Sequence, residues 1–154
     1  MSHYYLDASA LVKRYVDEVG SDWLRATVAH ARPSLLFTSR MTIVEVISAF
    51  ARRAREGSLV PDEFATARNA FRGDCLNEYQ IMPPKMAVID LACALLEQHP
   101  LRAYDATHLA TALGAQQFLT AQGYPSLTFL SADDRLNHAA IAEGLAVDNP
   151  NHHP

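Results

Sequence analysis

Four acidic side chains stand in apolar settings that a soluble domain has little reason to charge. Asp7 follows the run His3-Tyr4-Tyr5-Leu6, and Glu45 sits inside Ile43-Val44-Glu45-Val46-Ile47. Asp105 opens an Ala/Leu-rich stretch, and Asp133 follows Leu127-Thr128-Phe129-Leu130-Ser131. Two ionised carboxylates about 4 Å apart repel by roughly 4 kcal/mol at an effective dielectric of about 20. Four that converge must therefore take up protons or bind a divalent cation that cancels the repulsion. The second outcome is the chemistry of metal-assisted hydrolysis. Oxygen-only ligands suit hard ions such as Mg²⁺ and Mn²⁺, whereas zinc favours the His and Cys ligands that this set lacks.

Each acid also has a local explanation. Asp7 and Asp133 are good N-caps, Asp105 suits the positive end of a helix, and Thr42-x-x-Glu45 spells a capping box. Together these explanations weaken. A box at Thr42 starts its helix late and wastes the better cap at Ser39, and Asp105 follows Leu101-Arg102-Ala103-Tyr104 instead of the break at Pro100. Near the acids in sequence lie Lys13, Arg14, Arg52 and Arg102, candidate contacts for substrate phosphates. Ser9 and Ser131 are secondary candidates, able to hydrogen-bond a carboxylate or a metal-bound water, although ordinary turn chemistry explains them equally well. His108 shares a helical face with Arg102 and Asp105. A lone histidine on a helix is more often structural, so His108 stays outside the catalytic set.

The elements that must position these groups alternate along the chain. Strands are expected at residues 3–6, 35–38, 79–82, 127–130 and 145–147. Helices are expected at 8–16, 21–31 (stopped by Arg32-Pro33), 41–55, 61–78, 86–98, 103–122 and 135–143. This order predicts an α/β fold with a central parallel sheet covered by helices on both faces. In such sheets the site lies beyond the carboxyl ends of the strands, where Asp7 and Asp133 fall. Residues 1–150 read as a single domain, and residues 151–154 are expected to fray.

The 154 residues suffice for one sizeable core, and 49% apolar content marks a globular chain. No apolar run reaches membrane-spanning length, and the N-terminus lacks the pattern of a signal peptide, so a cytoplasmic protein is expected. Cys75 and Cys93 are too few for a disulfide scaffold or a thiolate metal site. With a net charge of -4, any contact with nucleic acid must come from a local basic patch.

Four strings carry a family resemblance in order: Tyr5-Leu6-Asp7-Ala8-Ser9-Ala10-Leu11-Val12-Lys13, Val44-Glu45-Val46, Arg102-Ala103-Tyr104-Asp105-Ala106-Thr107-His108-Leu109-Ala110, and Leu130-Ser131-Ala132-Asp133-Asp134-Arg135-Leu136. The set, covering residues 3–150, resembles PIN-domain ribonucleases of the VapC toxin type. The resemblance implies a PIN-like three-layer fold with four to five short parallel strands. It also implies an acidic pocket of Asp7, Glu45, Asp105 and Asp133 that binds Mg²⁺ or Mn²⁺, and endonucleolytic cleavage of RNA. Asp133 rather than Asp134 takes the fourth position because it fills the Ser-x-Asp slot at the strand end. Further implications are a cognate antitoxin covering the pocket and a homodimer. The helices around Phe50 and Phe64 to Phe71 are candidates for such surfaces, or else core. Two rival readings are a catalytically silent PIN-like module that binds RNA or protein, and a phosphatase using Asp7 as nucleophile. The latter lacks the second Asp two residues on, where Ser9 stands.

Overall fold

The computed structural model describes residues 2–31 and 35–154. The expected stop at Arg32-Pro33 lies outside those residues. Five short strands, β1 (His3–Leu6), β2 (Leu36–Ser39), β3 (Gln80–Met82), β4 (Leu127–Leu130) and β5 (Ala146–Asp148), form one sheet in the order β3-β2-β1-β4-β5. Every pairing is parallel. The helices are α1 (Ala8–Tyr15), α2 (Ser21–Ala29), α3 (Met41–Arg55), α4 (Pro61–Asn77), α5 (Met86–Gln98), α6 (Ala103–Ala121) and α7 (Asp134–Ala142). The expected elements are present; β1, α3, α5 and β4 have the expected bounds, and the others have one or both ends displaced by one or two residues.

The order of strands decides which helices cover which face. Parallel crossovers are right-handed, so a chain stepping in one direction lays its helices on one face and, on reversing, lays them on the other. From β1 to β2 to β3 the chain steps one way, and from β3 it returns past β1 to β4 and β5. One core accordingly gathers Leu6, Leu36 and Leu130 with Leu11, Leu24, Val46, Phe50 and Phe71 from α1 to α4. The other gathers Tyr5, Phe37, Leu127 and Phe129 with Leu95, Leu109 and Leu136 from α5 to α7. Adjacent strand residues such as Tyr5 and Leu6 thus serve opposite cores, which is why these strands are apolar throughout instead of alternating. Phe50 and Phe71 are fully buried. They belong to the core, not to a partner surface.

Of the last residues, expected to fray, Asn151, His152 and Pro154 are exposed and His153 is partly buried. Asn149 caps a 3-10 turn at Pro150–His152, and the His153 ring stacks on Trp23 with centroids 4.1 Å apart. The partner lies on α2, too far along the chain for local composition to reveal it. The same turn explains Gly20, which has φ +82° and sits where a Cβ would collide with the Pro150 carbonyl. Gly20→Ala should therefore cost about 2–4 kcal/mol, from the left-handed backbone and the forced contact together. Urea unfolding of the variant measures that cost.

Candidate active site

The strand order reverses on either side of β1, opening a crevice beyond the carboxyl ends of β1 and β4. Leu6 and Leu130 are paired in register, so the next residues, Asp7 and Ser131, meet at the floor of this crevice. Asp7 is 4% exposed. Its Oδ2 accepts a hydrogen bond from Ser131 Oγ at 2.6 Å, and its Oδ1 accepts from Ser9 Oγ at 2.7 Å and from the Ala10 N–H at 2.9 Å. The last of these is the N-cap of α1. Burial pushes the Asp7 carboxyl above the usual range, against the pull of His108, Ser131, Ala10 and Ser9. Ser9 also accepts from the Ala132 N–H at 2.9 Å, and Ser131 from the Asp133 N–H at 3.1 Å. The two serines thus tie the start of α1 to the β4–α7 turn around one buried carboxylate.

Beside Ala8 and Ser9 lies an open cavity of about 650 Å³ whose walls include Glu45, Asp105, Asp133, Lys13, Arg52 and Arg102, with the buried Asp7 behind those two neighbours and not itself on the wall. Glu45 reaches it from the second turn of α3. The Thr42 hydroxyl lies 2.8 Å from that of Thr38 and is buried, so it caps nothing. The Met41 N–H is met instead by Ser39 Oγ at 3.2 Å. Released from a capping role, Glu45 places Oε1 2.7 Å from His108 Nε2.

Asp105 enters from the first turn of α6, with Oδ2 3.9 Å from Arg102 Nε. Burial raises its pKa first and the Asp133 charge raises it further, while Arg102 and His108 pull it down. Asp133 caps α7 through Oδ1, which accepts from the N–H groups of Arg135 at 2.9 Å and Leu136 at 3.3 Å. Asp134 is turned elsewhere and accepts from Asn149 Nδ2 at 2.7 Å.

The histidine that sequence reasoning set aside lies at the centre of this group. His108 is 2% exposed. Its Nδ1 is 2.9 Å from the Tyr5 hydroxyl and its Nε2 faces Glu45. Burial opposes a charge on the ring, yet the Glu45 hydrogen bond and the charges of Glu45, Asp7 and Asp105 prevail, and its pKa lies above the ordinary value. The one signal available in sequence was its position three residues after Asp105 on the same helical face.

The donor set suits a hard cation. Glu45, Asp105 and Asp133 face one space beside the buried Asp7, and Asp105 already feels the Asp133 charge that such an ion would cancel. Among the described residues no three Asp, Glu, His or Cys side chains already enclose a common point. These side chains face a shared space without forming a closed cage.

Of the four cations named from sequence, Arg14 does not reach the cavity. Consecutive helical residues point about 100° apart, so Lys13 faces the cavity while Arg14 turns towards β3. There it donates to Glu78 Oε2 at 2.6 Å and to the Tyr79 hydroxyl at 2.7 Å, with Asp74 at 3.5 Å. It is a tether between α1 and the α4–β3 turn. Arg14→Ala should cost about 1–3 kcal/mol, the penalty of stranding half-buried partners, and leave any activity of the acidic cavity unchanged; urea unfolding and an activity assay check the two halves. Sequence reading also passed over Glu18, which joins the cavity wall and pairs with Lys13 at 3.2 Å and with Arg53.

Comparison with known proteins supplies an independent finding. The family model described as PIN domain matches residues 4–142. Ribonuclease VapC46 of Mycobacterium tuberculosis is 35% identical over 150 residues, covering 97% of this chain and 99% of its own. Ribonuclease VapC45 of the same species is 34% identical over 143 residues, covering 93% and 92%. The fold is also that of a toxin-antitoxin complex from Klebsiella pneumoniae, with a TM-score of 0.62 and 17% identity over 96% of this chain and 97% of that one.

Proposed function

This chain belongs to the PIN domain family, and from that membership we propose that it is a metal-dependent endoribonuclease, the toxin of a toxin–antitoxin pair. The observation that carries the reading is the meeting of Glu45, Asp105 and Asp133 around one cavity, with the buried Asp7 beside it and Lys13, Arg52 and Arg102 on its walls. Acids alone would repel RNA, and cations alone would bind it without cutting. The two sets side by side suit a phosphodiester whose backbone is held while one linkage is hydrolysed.

A bound Mg²⁺ or Mn²⁺ would supply a more acidic water and cancel charge on the phosphate. Asp7 and Asp105 are the primary ligands in this account. Asp7 is fixed by three hydrogen bonds and cannot swing away, while Asp105 opens onto the cavity. Glu45 and Asp133 bind directly or through water, or orient the nucleophile. Ser9 and Ser131 hold the Asp7 carboxylate in place. Arg52 and Arg102 meet phosphates on either side of the cut, and Lys13, buried and paired with Glu18, must leave that pair to join them. A chain with net charge -4 relies on such a local patch to hold RNA.

The likeness to VapC ribonucleases and to the fold of a toxin-antitoxin complex supports a cognate antitoxin as partner, and a homodimer in the cytoplasm accords with the same reading. Among the described residues no helix is long and apolar enough to cross a membrane.

The test is cleavage of a defined RNA by purified protein with Mg²⁺ or Mn²⁺ and with EDTA. Metal-dependent internal cuts are expected. RNA binding without any cut would turn the reading into that of a silent binding module. Arg52→Ala and Arg102→Ala should each weaken RNA binding and reduce the slope of log affinity against log salt by about one, as measured by titration at several salt concentrations.

A further inference from the structure

We propose that His108 is a positioning residue that aims the Glu45 carboxylate into the cavity, with Tyr5 as its anchor; the inference rests on reading that cavity as a metal-dependent nuclease site. Glu45 is half-buried. Its helix offers it no cap to make, and a glutamate that must serve a metal has three side-chain torsions to restrain. Among the described residues one side-chain hydrogen bond restrains them, with the His108 ring at 2.7 Å.

That ring is fixed from behind. The Tyr5 hydroxyl meets Nδ1 at 2.9 Å, and the Tyr5 ring stands edge-on to the imidazole, with centroids 6.0 Å apart and planes at 74°. Tyr5 is fully buried and stacks on Phe129 with centroids 5.4 Å apart and planes within 5°. A rigid chain therefore runs from the centre of the sheet through Tyr5 and His108 to a carboxylate on α3. His108 is 2% exposed and both its ring nitrogens are engaged, by Tyr5 and Glu45, so it acts through Glu45. Outer partners of this kind orient the groups that bind a metal, and their loss commonly costs 10–100-fold in affinity or rate. A histidine kept only to satisfy a core tyrosine has no such consequence.

The test compares wild type, His108→Leu, His108→Gln, Tyr5→Phe, Glu45→Ala and the His108→Leu/Glu45→Ala double variant. Mn²⁺ affinity is measured by calorimetry on the metal-free protein, kcat and KM with a defined RNA, and folding by thermal melts. His108→Leu should lose roughly 10–100-fold in Mn²⁺ affinity or kcat with little change in KM. His108→Gln, whose amide keeps a donor near the place of Nε2, should recover most of that loss, and the double variant should be no worse than Glu45→Ala alone. Tyr5→Phe removes one oxygen from a filled site and should show a smaller loss in the same direction, which keeps the question open to measurement if His108→Leu fails to fold. The proposal is overturned if folded His108→Leu or Tyr5→Phe binds Mn²⁺ and cuts RNA as wild type does, or if the His108 loss adds in full to that of Glu45→Ala. If wild type binds Mn²⁺ but cuts no RNA, the functional reading fails and calorimetry alone decides on His108. Wild type that binds no Mn²⁺ overturns both.

Discussion

Asp7→Asn protein is expected to lose Mn²⁺-dependent RNA cleavage by roughly a thousandfold, about 4 kcal/mol of barrier, and yet to unfold at a higher temperature than wild type when metal is absent. Both effects follow from one buried charge. Asn keeps the shape of Asp7 and can still accept from the Ala10 N–H and Ser9 hydroxyl, so the cap of α1 survives. What disappears is an anion 4% exposed whose burial already pushes its pKa up. Without metal that anion is a cost to the fold, because three hydrogen bonds and a nearby imidazole do not fully replace water. With metal it is the fixed ligand through which an ion lends several kcal/mol to charge developing at the phosphate. Calorimetric melts in EDTA, alongside kcat in Mn²⁺, read the two effects separately. Unchanged cleavage would remove Asp7 from the mechanism, and a lower melting temperature would mean that its charge stabilises the empty fold.

The metal-free protein should also become less stable as pH rises from about 4 through neutrality, and Mn²⁺ should reverse that trend. The folded-state pKa values of Asp7 and Asp105 lie above the ordinary 3.8. Their contribution to stability is therefore fully present below 3.8 and is lost as pH rises through the raised values. His108 acts in the same direction at higher pH. Its contribution is present below 6.5 and is lost as pH rises through its own raised value. Metal needs the carboxylates ionised, so its affinity grows with pH, and at a hundred times its Kd it adds about 2.7 kcal/mol to the folded state. Urea unfolding at pH 5 and pH 8, in EDTA and in Mn²⁺, measures the reversal. Parallel pH trends with and without metal would mean that the carboxylates do not share an ion.

How much of this was legible beforehand depended on whether a residue's role is local. Asp7 and Asp133 could be read because each ends a strand and caps a helix, two signals that lie within a few residues of the acid itself. Glu45 could be read because a charge interrupts an apolar stripe. His108 could not, because its meaning comes from Glu45, 63 residues away, and from Tyr5, 103 residues away. Lys13 and Arg14 looked equivalent as neighbours in sequence. Only the rotation of α1 against the sheet sends Lys13 to the cavity and Arg14 to Glu78 and Tyr79. The strand ends slipped for a similar reason. β2 extends to Ser39 because Ser39 pairs with Met82, and pairing, unlike hydrophobicity, is invisible in a single segment.

Whether the four carboxylates share a metal ion is decided by an anomalous difference map from crystals of the wild-type protein soaked in Mn²⁺. A manganese peak is expected beside Asp7, bounded by Glu45, Asp105 and Asp133. A map with no peak there, or with its only peak outside that cavity, would contradict a shared ion.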